Sequence, residues 1–281
     1  MRLRLMGRGE RMTKRPDSSV QFDNRDRVII VTGGGQGIGL AIAKEFSNSN
    51  ATVVVADVNK SLATKLPSGV CFKLCDTADR GNCERVVTET VDEFGGLDVL
   101  INNAAIQPPE SYVPIDSMDD ALYDKMLAIN FSGYHFMAKF ALQQMKEQGS
   151  GVVVNIASEQ GHRTTRGVSV YGPLKAANIL QARQWAIEYA RFGVRVVSVS
   201  PGAISTPLVD ASLEAQGGAA ELANRHPLGR IGIAEEVAYA VLFLSSSAAS
   251  FITAADLRVD GGLGGLGAFA DPYQREESST E

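Results

Sequence analysis

From residue 27 to residue 260 the chain alternates between short, almost unbroken apolar runs and longer stretches in which apolar residues recur every three or four positions. The runs are VIIV (28–31), TVVVA (52–56), VCFKL (70–74), LDVLI (97–101), VVVNI (152–156), VRVVSV (194–199) and DLRV (256–259). A strand with one wet face alternates apolar and polar residues, so runs apolar at nearly every position predict strands covered on both faces, the habit of parallel sheets. Between them, Ile38, Ala41, Ile42 and Phe46 keep helical spacing, as do Val86, Val87, Val91 and Phe94 before Gly95 and Gly96 stop that helix. Met126, Ile129, Gly133, Met137 and Phe140 stripe a longer helix, over about 119–147, that ends at GSG. The alternation predicts an α/β fold: a single doubly wound domain with a mostly seven-stranded parallel sheet and right-handed crossovers.

A chain of 281 residues with 44% hydrophobic content is long enough to bury one such core. Its net charge of −5, from 27 basic and 32 acidic residues, leaves no electrostatic footprint for a nucleic acid. No apolar run approaches the roughly 20 residues of a membrane-spanning helix, so no membrane partner is expected. Cys71, Cys75 and Cys83 are odd in number, lack CxxC or Cys/His metal spacing and read as buried thiols. His135, His162 and His226 form no metal cluster in the sequence, and with no secretory signal a cytoplasmic location is expected. Residues 1–25 are arginine-rich without a periodic apolar face and read as a disordered arm that the fold can lose. That leaves a folded body over 26–262 and a biased tail over 263–281.

The first strand runs straight into TGGGQGIG, residues 32–39, and then into an amphipathic helix. Gly33, Gly37 and Gly39 allow a tight turn and let backbone approach a pyrophosphate, whose charge the N–H groups and dipole at a helix N-terminus then meet. In this strand–loop–helix context the cluster reads as a dinucleotide site of Rossmann type. The second strand ends at Asp57, 18 residues after Gly39, where a carboxylate accepts hydrogen bonds from an adenosine ribose and repels a 2′-phosphate. NAD is therefore expected, and NADP less so.

The third, fourth and fifth strands end in CDTAD, NNAA and NIAS. Polar endings at carboxyl ends of strands are where ligands of open α/β sheets bind, so these loops form one site. In VYGPLKAANIL (170–180), Pro173 sits in what must be a first helical turn, since a proline in a helix interior costs about 3 kcal/mol. Tyr171 and Lys175 then lie on one face at a helix start. A phenol titrates near 10, and a neighbouring ammonium is what makes its phenolate accessible nearer neutral pH.

With these motifs in order over residues 26–262, together with NFSG and VSPGAIST, the chain resembles the short-chain dehydrogenase/reductase family. The resemblance implies Tyr171 as general acid/base, Ser158 as the group that holds the substrate oxygen, Lys175 on the nicotinamide ribose, and Asn130 supporting a water chain from Lys175 to solvent. It further implies cofactor contacts from Gly33, Gly35, Gln36, Gly37, Ile38 and Gly39 in the loop. Asp57, Asp76, Asn103, Ala104, Pro201, Gly202, Ile204 and Thr206 would complete them, with Tyr171 and Lys175 both catalytic and cofactor-binding. Residues 207–230 would be a substrate lid broken at Gly217 and Gly218, and the two long helices, about 119–147 and 171–192, would pair subunits into a homotetramer. Phe140, Trp185, Ile187 and Tyr189 read as surplus apolar surface consistent with such an interface. The family most often has a small residue at Pro173 and a glycine at Ala105, and neither departure removes a reacting group.

The expected activity is interconversion of a secondary alcohol and a ketone by hydride transfer to or from NAD. An NADPH-dependent ketone or 3-oxoacyl reductase is the second reading, and a catalytically idle dinucleotide-binding scaffold the third. SEQGHRTTRG, after the serine, places Glu159, Gln160, His162 and Arg163 near the pocket mouth, where they would suit a sugar or polyol, or an acid met by Arg163 or Arg166. A solvated loop is the plainer reading of the same segment.

Overall fold

In the computed structural model, which describes residues 20–213 and 217–267, each apolar run is a strand. They are β1 Val28–Thr32, β2 Thr52–Asp57, β3 Cys71–Leu74, β4 Val99–Asn102, β5 Gly151–Ile156, β6 Val194–Pro201 and β7 Asp256–Val259. All six pairings are parallel, in the order β3-β2-β1-β4-β5-β6-β7. The order reverses between β1 and β4, so the carboxyl ends of these two strands open a crevice.

The unbroken apolar character of the strands follows from cover on both faces. Ile29 and Val31 point to one side and pack with Ile42 and Phe46 of α1 (Gly37–Asn48) and Val237 and Val241 of α8 (Ala234–Ser245). Ile30 points to the other side, with α2 (Arg80–Phe94), α4 (Gly133–Gln148) and α5 (Tyr171–Tyr189). Gly95, at φ +83°, ends α2 as the sequence requires. Phe140 and Trp185 are buried in this second core and Tyr189 packs partly against it, which corrects their assignment to a surface surplus and leaves Ile187 as the exposed one of the four.

The long helix expected over 119–147 is α3 (Asp120–Leu127), a wide π-helical turn at Ala128–Ser132, and α4. The wide turn carries Asn130, and such bulges recur at functional sites. Helix α5 begins at Tyr171, so Pro173 falls in its first turn.

Both expected boundaries move outward. Phe22 packs on the α1 core, and buried Asn24 donates from Nδ2 to Ser49 Oγ at 2.8 Å and receives Arg27 Nη1 at 2.7 Å. The body therefore starts before Asp26, while residues 1–19 of the arm lie outside the described residues. At the other end Gly262–Gly267 folds back over the crevice, tied by Arg163 to the carbonyls of Gly264 and Leu266 and by Asp260 to the N–H groups of Gly262 and Gly264. Residues 268–281 of the tail lie outside the described residues.

Candidate active site

A cleft of about 1210 Å³ runs along the carboxyl ends of the strands and brings most of the expected residues together. At one end is the glycine loop. Gly33 holds φ +60°, and a Cβ there would stand 2.8 Å from Ala104 Cα; a Cβ on Gly39 would stand 2.3 Å from the Gly33 carbonyl oxygen. Asn103 fastens the loop, its Nδ2 donating to the carbonyls of Thr32 and Gly33 at 2.9 and 3.1 Å. Helix α1 then starts at Gly37 with no side-chain cap from Gln36 and no acid in its first turn. Its open N–H groups and dipole make that end of the cleft an anion site, and the cradle, which a Cβ would fill, fits a pyrophosphate.

Asp57 is buried at the end of β2, with Oδ2 accepting from Gly35 N at 3.0 Å and Oδ1 from Asn59 N at 2.9 Å. A carboxylate has about four acceptor positions, so both oxygens keep capacity for ribose hydroxyls. Asp76, which lines the same end, accepts from Ala78 N at 3.0 Å in a turn. Gly33, Gln36, Gly37, Ile38, Asn103 and Ala104 line the cleft, as do Pro201, Gly202, Ile204 and Thr206. Gly35 and Gly39 lie beneath the wall and act through the shape of the loop.

At the other end stand Ser158, Tyr171 and Lys175. Ser158 Oγ accepts from Gln160 N at 3.1 Å, which leaves its proton to donate. Lys175 is buried, with Nζ 5.5 Å from the centre of the Tyr171 ring and hydrogen-bonded to Ile156 O at 2.7 Å and Tyr134 Oη at 3.0 Å. Burial moves the two groups apart from the sequence expectation. It raises the Tyr171 phenol, with the Tyr112 phenol adding to the rise, and it brings the Lys175 ammonium down to about 7. Desolvation disfavours the charged form of both and outweighs their proximity in this state.

Asn130 is fully buried behind the cleft wall. Its Oδ1 accepts from Ile106 N and its Nδ2 donates to Ile106 O, both at 2.8 Å, and its own carbonyl receives Asn178 Nδ2 at 2.9 Å. The side chain thus holds the loop after β4 in place. Three residues of the polar run after Ser158 also have partners within the protein, whereas Gln160 lines the cleft with its buried Oε1 unpartnered among the described residues. Glu159 pairs with Arg258 at 3.0 Å, His162 Nε2 with Asp256 at 2.8 Å, and Arg163 with the two carbonyls of the C-terminal strap. Arg166 is exposed and lies off the cleft. Glu159, Gln160 and Arg163 line the cleft mouth as expected, with His162 and Arg166 off it, and beside these polar groups stand apolar walls.

Those walls come from Leu208 and Val209 on α6 (Pro207–Asp210), Leu222 on α7 (Gly218–Asn224), and Leu263 and Leu266 of the strap. Gly217 and Gly218, both at φ +87°, stand between α6 and the body of α7, and 214–216 lie outside the described residues. Tyr112, whose hydroxyl bonds to Ser212, the strap residues Leu263 and Leu266, and Tyr134 were missed in the sequence. Only Tyr134 had a cue, standing four residues after Asn130 on the same helical stretch.

A family model described as enoyl-(acyl carrier protein) reductase matches residues 33–264. Cis-4-hydroxycyclohexanecarboxylate dehydrogenase of Sinomonas cyclohexanicum is 37% identical over 243 residues, covering 84% of this chain and 96% of its own. 2,5-Dichloro-2,5-cyclohexadiene-1,4-diol dehydrogenase of Sphingobium indicum is 35% identical over 250 residues, covering 86% and 98%. The crystal structure of levodione reductase superposes with a TM-score of 0.82 at 34% identity, covering 86% of this chain and 99% of that one. With a nucleotide cradle at one end of the cleft and a serine, tyrosine and lysine at the other, the chain belongs to the short-chain dehydrogenase/reductase family of oxidoreductases acting on CH–OH groups.

Proposed function

We propose that this enzyme interconverts a cyclic secondary alcohol and its ketone with NAD, using Tyr171 as the general acid/base. The observation that carries the cofactor choice is the Asp57 carboxylate at the end of β2 beside the glycine loop. Nicotinamide dinucleotide supplies the hydride acceptor or donor when bound. The α1 N-terminus and Asn103-fastened loop would hold its pyrophosphate, and Asp57 would take its ribose hydroxyls. Ser158 donates to the substrate oxygen and fixes its position. In alcohol oxidation Tyr171, as phenolate, would take the hydroxyl proton, and in ketone reduction the phenol would return it to the oxygen, the hydride being the bound nicotinamide's to accept or supply. The Lys175 ammonium supports the phenolate, and the leucines of lid and strap exclude water from the reacting carbon.

The ring substrate rests on the apolar jaws and on the cyclohexane and cyclohexadiene names of the two relatives. Nicotinamide reduction is to be followed with cyclic and open-chain secondary alcohols, each with NAD and NADP, in wild type and Tyr171→Phe. Cyclic alcohols with NAD are expected to be preferred, and Tyr171→Phe to lose about 10² to 10⁴ in turnover, the share of general acid/base catalysis. Near-normal turnover in Tyr171→Phe would sink the reading.

A further inference from the structure

The lysine that serves the phenol is held by a second tyrosine. Tyr134, on α4, is 1% exposed, and its hydroxyl stands between the Lys175 ammonium and a strand carbonyl. It accepts from Lys175 Nζ at 3.0 Å and donates to Ile156 O at 2.9 Å, and the same carbonyl receives Nζ directly at 2.7 Å. Nζ also lies 4.9 Å from the centre of the Tyr134 ring. We propose that Tyr134 is a positioning residue: with Ile156 O it fixes two of the three N–H bonds of Lys175, aims the third into the cleft, and closes the inner side of the ammonium.

The closure follows from how the neighbouring groups are used. The Tyr134 proton is committed to Ile156 O, so the phenol accepts from the lysine and has no second proton to pass on. Behind it, Asn102 Nδ2 donates to Tyr134 O at 3.2 Å and to Asn155 Oδ1 at 3.0 Å, and Asn155 Nδ2 to Asn178 O at 3.1 Å. Asn130, the expected carrier of a water chain, has its amide on Ile106. Two N–H bonds of Lys175 thus end on protein acceptors, and the side facing the cleft is the one open to a ligand. The titratable groups facing the ammonium are Tyr134 from α4 and Tyr171 from its own helix, with Tyr112 beyond Tyr171; β5 contributes the Ile156 carbonyl, and the asparagines behind are uncharged.

This inference rests on the alcohol–ketone reading for its kinetic consequence, and on the cofactor-free protein for its direct test. Removing the hydroxyl takes an acceptor from a buried cation, which disfavours the charged form. In Tyr134→Phe the Lys175 titration, followed by NMR of isotope-labelled lysine and assigned by its loss in Lys175→Met, is expected to move at least about one pH unit down. With an alcohol that works, kcat is expected to fall about tenfold, the acid limb of its pH profile to move up as the phenolate loses support, and KM for the alcohol to stay within about twofold. 3-Fluorotyrosine at position 134 keeps the hydroxyl and is expected to restore the profile. Thermal unfolding of each protein accompanies these measurements, and Tyr134→Met replaces Tyr134→Phe should that variant not fold. An unmoved Lys175 midpoint in a folded variant overturns the proposal, whatever the activity does. A protein that oxidises no alcohol but shows the shifted midpoint keeps this inference and sinks the function reading instead.

Discussion

Burying Lys175 makes the stability of the cofactor-free protein depend on pH in a direction that can be worked out beforehand. The side chain is 1% exposed, and burial brings its ammonium from the ordinary 10.5 down to about 7. Between those two values the unfolded chain carries a proton on this lysine that the folded protein lacks. Unfolding then takes up a proton, so the folded state gains stability as pH rises through the window. Each pH unit is worth about 1.4 kcal/mol, so from pH 7 to pH 9.5 this one group contributes about 3 kcal/mol. Below pH 7 both states are charged and the slope vanishes. Above about pH 10 the raised phenols of Tyr171 and Tyr134 act the other way, because the unfolded state loses those protons first.

Urea unfolding of wild type and Lys175→Met, without cofactor, at several pH values from 6.5 to 9.5 isolates the effect. Methionine fills similar volume and has no proton to lose. The stability difference is expected to be flat below pH 7 and then to move by about 3 kcal/mol in favour of wild type by pH 9.5. Parallel profiles, within about 0.5 kcal/mol over the whole range, would mean that Lys175 keeps its charge in the folded state. The Tyr134 hydroxyl and Ile156 carbonyl would then compensate its desolvation fully, and burial would not lower the ammonium.

Four further outcomes are expected. Asp57→Ala, measured by kinetics with both cofactors, should erase most of an NAD preference of about 10² in catalytic efficiency, since charged hydrogen bonds are worth about 1.5 to 3 kcal/mol each; an unchanged preference would make Asp57 a turn residue. Gly39→Ala should abolish nucleotide binding in fluorescence titration, because its Cβ would press on the Gly33 carbonyl at 2.3 Å. A chain beginning at Val20 should match the full-length protein in urea unfolding, whereas one beginning at Asp26 should lose about 1 to 3 kcal/mol with the buried Asn24 contacts and Phe22 packing. Light scattering should find a homotetramer, and Leu180→Glu with Ile187→Glu, on the exposed face of α5 at 65% and 73% exposure, should yield a smaller species.

The five inner strands were legible because a two-sided parallel sheet imposes one demand on nearly every residue of a run, while the part-exposed edge strands β3 and β7 showed through their place in the strand–helix alternation. The nucleotide end was legible for a related reason. Gly33 and Gly39 are fixed by backbone contacts that no other residue tolerates, so the requirement is written in residue type. Tyr171 and Lys175 showed through the helix period and through Pro173, which fits at a helix start. In each case the constraint acts locally, within one strand, one turn or one helical face.

What stayed hidden depends on distant partners. SEQGHRTTRG has the composition of a sugar-binding mouth, yet Glu159, His162 and Arg163 find their partners at Arg258, Asp256 and the strap, about a hundred residues away. No local pattern says whether a polar side chain will be satisfied by the protein or left for a ligand. The same blindness applies to Tyr134. On a helix already striped with Met137 and Phe140 it reads as one more apolar anchor, and its ring does lie in that core. Only its depth beside β5 turns the hydroxyl towards Ile156 O and Lys175, where an unpaired phenol would carry the cost of a buried donor. The sheet that made the strands predictable thus also created the site that the sequence concealed. By carrying the Ile156 carbonyl to the end of β5, it supplies the acceptor around which a lysine and a second tyrosine are arranged.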